Sequence, residues 1–202
     1  MASTHVTGFL AESVEILRQL DADSIDRVAS VLAATKARGG RIFFCGSGGG
    51  AGHASHATCD FRKLGGIESY SVSDNVSELT ARVNDDSWAT AYADWLTTSR
   101  IKEGDTLFVF SVGGGDSERK ISQNLVCAMD RAKEAGASVV GVVGRDGGYL
   151  RTVADAAIIV PSINPANTTT QTEGFQALLW HLLVAHPLLD SATPKWESVL
   201  IA

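Results

Sequence analysis

Arg41-Ile42-Phe43-Phe44-Cys45-Gly46-Ser47-Gly48-Gly49-Gly50 is the stretch that decides the fold. A short apolar run that ends in glycines predicts a strand buried on both faces. Upstream, the apolar spacing is helical. Phe9, Val14, Ile16, Leu17 and Leu20 mark one amphipathic helix over 8–20; Ile25, Val28, Val31 and Leu32 mark a second over 24–37, capped by Asp23 or Ser24. Downstream, similar apolar runs recur at 69–73, 106–110, 138–143 and 156–160. Helical stretches lie between them at 51–63, 76–97, 117–135 and 148–154, and a strongly apolar helix is expected over 171–185. Strands alternating with helices predict an α/β three-layer sandwich with a five-stranded, mainly parallel sheet. Residues 161–170 read as a long loop. The tail 187–202 has no clear period, and Trp196 suggests that it docks on something.

With 202 residues and no repeat or linker, the chain reads as one domain: N-terminal helices 1–38, an α/β core 39–186 and the tail 187–202. A domain of this size buries roughly 70% of its unfolded surface and needs no staples. The composition, 45% hydrophobic and 20% charged, is that of an ordinary globular protein. Net charge is −6 and no basic stripe is visible, which argues against a nucleic-acid partner. An anionic ligand stays open, because amides at a helix start hold anions without net positive charge. Cys45, Cys59 and Cys127 follow no disulfide spacing. Residues 1–9 lack the pattern of a signal peptide, and no apolar run reaches membrane-spanning length. These features together predict a cytoplasmic protein with no membrane partner.

Two glycine-rich turns follow predicted strands: Cys45-Gly46-Ser47-Gly48-Gly49-Gly50-Ala51-Gly52 and Ser111-Val112-Gly113-Gly114-Gly115-Asp116-Ser117. Each is expected to open a helix. Glycines let several N–H groups converge on an anion, the helix start adds partial positive charge, and serines add hydroxyl donors. The phosphate-binding candidates are Ser47, Gly48, Gly49, Ser111, Gly113, Gly114 and Ser117. Tight strand–helix turns alone would also account for one such loop. The P-loop Lys is missing, and the dinucleotide glycine pattern fits only with Ala51 in its last place, so that reading stays open but weak.

His56 and Asp60 lie four apart on the helix after the first loop, hence on one face. His53 is three before His56. His181 sits among Leu178, Leu179, Trp180, Leu182 and Leu183, with Glu173 eight residues earlier. One reading makes His181 a satisfied core residue. The other gathers these histidines and carboxylates around a divalent metal or uses them as acid and base. Asp74, Asn84 and Asp85 are open to either sugar contact or capping.

The order of Phe44-Cys45-Gly46-Ser47-Gly48-Gly49, His56 with Asp60, Ser73-Asp74, Val83-Asn84-Asp85, Gly104-Asp105-Thr106-Leu107, Gly144-Arg145-Asp146-Gly147-Gly148 and Glu173 with His181 resembles the SIS (sugar isomerase) domain family, in its phosphoheptose isomerase branch. The resemblance runs from the first helix to about residue 186. It implies a flavodoxin-like SIS fold and a homotetramer with active sites shared between subunits. It also implies zinc and interconversion of sedoheptulose 7-phosphate with D-glycero-D-manno-heptose 7-phosphate through an enediol. By resemblance His56, Asp60, Glu173 and His181 hold the metal, Asp60 and His181 are catalytic, and Asp85 joins the substrate-binding residues. A non-catalytic sugar-phosphate-binding or assembly module, or an isomerase of another ketose phosphate, is the alternative. Asp60 stands where the family has Glu, Glu173 where it has Gln, and the second loop loses two hydroxyls relative to the usual Ser-Thr-Ser-Gly-Asn-Ser.

Overall fold

The computed structural model describes residues 3–201; Met1, Ala2 and Ala202, which the terminal assignments included, lie outside the described residues. Five strands form one sheet: β1 (Ile42–Gly46), β2 (Ser69–Ser71), β3 (Thr106–Ser111), β4 (Ser138–Val143) and β5 (Ala156–Ile159). Their order is β2-β1-β3-β4-β5, and every pairing is parallel. The sheet is therefore wholly rather than mainly parallel, in the flavodoxin-like order. Its switch point lies between β1 and β3, where ligands bind in such folds.

Side chains alternate between the two faces, as the pleat requires. Phe44, Phe108, Phe110, Val140, Val142 and Ile158 join one core, beneath α1 (Thr4–Gln19), α2 (Ala22–Ala37), α3 (Gly49–Lys63) and α8 (Thr168–Val184). Phe43, Cys45, Leu107, Val109, Val139 and Val143 join the other, beneath α5 (Ala91–Thr98), α6 (Gln123–Glu134) and α7 (Gly148–Val153). Burial on both faces is why each strand reads as an apolar run without alternation.

Four expectations are corrected. The predicted helix 76–97 is two helices, α4 (Val76–Asp85) and α5. Asp86 turns the chain out of helical geometry, and the Ser87 hydroxyl accepts from the Thr90 N–H as the second helix begins. The predicted helix 117–135 starts only at Gln123. The Asp116 carboxylate accepts from the N–H groups of Glu118 and Arg119 at 3.0 and 2.8 Å, which bends 117–120 into a turn, and Asp116 and Ile121 then pair antiparallel. The cap of α2 is Asp21, whose carboxylate accepts from the Asp23 N–H. The tail carries a last helix, α9 (Lys195–Ile201), and Trp196 is 81% exposed, so it docks on nothing in this chain.

A buried ion pair anchors the N-terminal edge of the sheet. Asp105, fully buried, accepts from the Arg41 and Lys102 N–H groups and from the Arg41 guanidinium at 2.7 Å. At the other end, Glu12 of α1 accepts from the side-chain amides of Asn164 and Asn167, both at 2.8 Å, which ties α1 to the loop before α8. Among the described residues, no helix is long and apolar enough to cross a membrane.

Candidate active site

The two glycine loops meet over the switch point. A pocket of about 170 Å³ lies between them, lined by Ser47, Gly50, Phe110, Ser111, Gly113, Ser122, Glu173 and Gln176, among others. Each loop serine has a lone pair engaged by a protein donor. The Asn124 amide donates to the Ser47 hydroxyl at 2.9 Å, and the Gly114 N–H donates to the Ser111 hydroxyl at 3.0 Å. That leaves both O–H groups to donate outward, the polarity an anion requires. Gly48 and Gly49 make the turn into α3, where the Gly50 and Ala51 N–H groups donate to the Ser47 and Gly48 carbonyls at 3.1 and 3.0 Å and no side chain caps the helix. The Glu173 carboxylate approaches Gly49 closely, 2.7 Å from where a Cβ would sit. Gly114 is held for packing instead. At φ +74° it presses on the Gly147 carbonyl, docking the β3 loop on the loop after β4.

From this pocket α3 and α8 run side by side in the same direction. Glu173 abuts Gly49 at their upper ends, and His181 meets His56 and Asp60 lower down. His56, Asp60 and His181 each offer one ligand atom, and these atoms lie within 4.8 Å of one another. His181 Nδ1–H donates to the Ala177 carbonyl at 2.7 Å. A carbonyl only accepts, so Nδ1 carries a proton, and in the neutral ring the lone pair is on Nε2, 4.0 Å from Asp60 Oδ2. The His56 ring packs edge-on against Trp180. Two imidazoles and a carboxylate with one ring already oriented by its other nitrogen suit a zinc ion. They equally suit proton transfer.

Several sequence assignments change. His181 is half-exposed, not a core residue: Leu179 and Leu183 face inward, while Leu178, His181 and Leu182 face out. Glu173 does not join the His56–Asp60–His181 group. Eight helical residues separate it from His181 by about 12 Å, and it forms a wall of the pocket between the glycine loops instead. His53 also stays apart, packed against Phe110, with its pKa lowered mainly by burial. Ser117 is exposed on the 117–120 turn; the serine that lines the pocket from the start of α6 is Ser122. Asp85 is exposed at the end of α4, where it accepts from the Asn84 amide, and lines neither cleft beside the glycine loops.

Three supporting residues escaped the sequence reading. Gln176, fully buried, donates to the Val142 carbonyl at 3.1 Å, while its carbonyl oxygen has no partner and its side chain lines the pocket. Asn124 is likewise buried, with its oxygen unpaired. Tyr92 donates to the Gly46 carbonyl at 2.9 Å, and burial pushes its phenol up to about 12, so it stays a donor at neutral pH. Polar residues at apolar-periodic positions of helices were the available signal: Asn124 before Leu125-Val126, and Gln176 between Phe175 and Leu179.

A parallel sheet with serine-bearing glycine turns at its switch point defines an α/β protein of the doubly wound class. Within that class the chain belongs to the SIS domain family, whose sequence model matches residues 8–144. The lincomycin biosynthesis protein LmbN of Streptomyces lincolnensis is 34% identical over 90% of this chain and 68% of its own length. A phosphoheptose isomerase of Rhodospirillum rubrum is 31% identical over 83% of each chain. Among solved structures, phosphoheptose isomerase GmhA from Neisseria gonorrhoeae superimposes with a TM-score of 0.78 at 24% identity, over 90% of this chain and 96% of that one.

Proposed function

We propose that this chain is an aldose–ketose isomerase acting on a sugar phosphate, with sedoheptulose 7-phosphate and D-glycero-D-manno-heptose 7-phosphate as its pair. The observation that carries the reading is a distance. The anion pocket and the His56–Asp60–His181 group lie on one helix pair, about 12 Å apart by helical rise from Glu173 to His181. An extended chain gains about 1.2 Å per bond, so a seven-carbon phosphate bridges most of that gap with its carbonyl end among the imidazoles.

In this reading Asp60 and His181 form the acid–base pair. One takes the hydrogen from the carbon next to the carbonyl. The other protonates the carbonyl oxygen as charge develops there, which gives the enediol. Returning the proton to the neighbouring carbon, with loss of a hydroxyl proton, completes the isomerisation. His181 works through Nε2, because Nδ1–H is committed to Ala177. His56, Asp60 and His181 would hold zinc, and zinc when bound supplies Lewis-acid polarisation of the carbonyl; the His181 Nε2 lone pair serves the ion or the proton, not both in one step. We assign Glu173 to the pocket wall, where its carboxylate faces the start of α3.

The centre lies at the surface of the chain, beside exposed Leu178 and Leu182, and α1 exposes Val6, Leu10, Val14 and Leu17 along one face. Both surfaces suit burial against further copies. The proposed assembly is therefore a homotetramer with shared active sites, working in the cytoplasm. The test is incubation with a panel of ketose phosphates, with and without chelator, followed by NMR of the products. Aldose phosphate from the seven-carbon substrate, abolished by chelation, is expected. Saturable binding with no turnover of any member would overturn the enzyme in favour of a non-catalytic binding module.

A further inference from the structure

Beyond the small pocket, on the side away from His181, lies a second and larger cleft of about 720 Å³. It shares Val112, Gly113 and Ser122 with the small pocket, so the two are continuous. Arg119 and Arg145 stand in its walls, with Asp116 and Asp146. The two acids are occupied. Asp116 accepts from the N–H groups of Glu118 and Arg119, and Asp146 accepts from the Gly148 N–H at 3.1 Å. The two cations differ. Arg119 is ion-paired to Asp116 at 3.6 Å with most of its side chain exposed, whereas the Arg145 guanidinium has no ion pair or hydrogen bond among the described residues.

Arg145 is also held in place. The loop that carries it is docked on the β3 loop by two backbone bonds, Tyr149 N–H to the Gly115 carbonyl at 2.9 Å and Leu150 N–H to the Gly114 carbonyl at 3.0 Å. Its φ is +53°, a conformation that asparagine or glycine adopts with less strain. Its side chain lies over Gly113, with Cδ 3.9 Å from where a Cβ on that glycine would sit. Val112 and Gly113 carry no hydroxyl, so the β3 loop is poor in anion donors at the point where the guanidinium arrives. A guanidinium meets two oxygens of a phosphoryl group at once.

We propose that Arg145, with Arg119 opposite, forms the outer half of the anion site, and that the dianionic phosphoryl group of the substrate lies between the loop serines and this guanidinium pair. The identity of the substrate rests on the isomerase reading; the anion site does not. This arrangement makes the loop after β4 a determinant of how tightly the phosphate is held against the loop serines.

The test uses inorganic phosphate as probe, with binding to the full-length protein followed by calorimetry. The variants are Arg145→Asn, Arg119→Gln and both together. Asparagine tolerates the left-handed backbone, so Arg145→Asn keeps its melting temperature. Loss of a charge-assisted bond predicts a Kd for phosphate about 10- to 100-fold higher in Arg145→Asn, with a smaller rise in Arg119→Gln and partial recovery in Arg145→Lys. With a ketose phosphate that turns over, KM rises in parallel. No saturable binding of phosphate to the wild-type protein, or an affinity within twofold of wild type in the double variant, overturns the proposal. Loss of phosphate binding in a protein that turns over no ketose phosphate would uphold the anion site and sink the isomerase reading. Unchanged phosphate binding in an active isomerase would do the reverse.

Discussion

His181→Gln separates proton transfer from folding, because the structure puts the two consequences on different scales. The side chain is 50% exposed, and among the described residues its only hydrogen bond runs to Ala177, four residues back on the same helix. Gln is a good helix former of similar length. Substitutions at such surface positions usually change stability by less than about 0.5 kcal/mol. In a chain of this size that shifts the melting temperature by about 2 °C at most. The chemical consequence is larger. A positioned proton carrier contributes about 10²–10⁴-fold, and Gln cannot replace it at the Nε2 position facing Asp60. The assay is exchange of the substrate C1 or C2 hydrogen with deuterated solvent, which sees proton abstraction even where product release is slow, run beside thermal unfolding of the same sample. The expected result is a melting temperature near wild type with exchange reduced at least 100-fold. Exchange within a few-fold of wild type in the folded variant would refute the role of His181. A fall of 10 °C or more in melting temperature would refute the placement of its ring at the surface.

Asn124→Ala removes the donor that orients Ser47. It should raise KM for the sugar phosphate about 2- to 10-fold, with steady-state kinetics as the check. Asp105→Ala leaves the Arg41 guanidinium and two part-buried N–H groups without their buried acceptor. Urea titration should show a loss of about 3–5 kcal/mol, and a loss below about 1 kcal/mol would contradict the buried pair. Light scattering at low micromolar concentration should give about four times the 21.3 kDa chain mass; a mass equal to one chain would dispose of the shared-site assembly.

The parallel sheet was legible in the sequence because both of its faces are covered. Runs such as Arg41–Cys45 and 138–143 then need no alternation, and glycines mark their carboxyl ends. The helix spacing of His56 and Asp60 was legible for the same kind of reason: four residues always share a face. His181 was harder. Its neighbours in sequence are apolar, but α8 is apolar nearly all round, so local hydrophobicity carried no information about which face meets the core. Ser117 closely follows the glycine run and so reads as part of the loop, while nothing in the sequence singles out Ser122. The turn made by Asp116 depends on a carboxylate bonding two backbone N–H groups, and a composition reading has no term for that. The orienting contacts of Asn124 and Tyr92 cross 77 and 46 residues, so only the assembled fold reveals them.

The Asp116–Ile121 bridge closes the 117–120 turn upon itself before α6 begins. Its ends are fixed by a pair of backbone bonds at 3.0 Å, so the segment is an interchangeable cassette: its tip can lengthen, shorten or change charge while Ser122 and α6 keep their places. The His56–Asp60–His181 group is mounted elsewhere, on two helices packed into the opposite core. A chain arranged in this way can be retuned toward a new ligand by grafting a handful of residues at one tip, with its chemistry inherited unaltered.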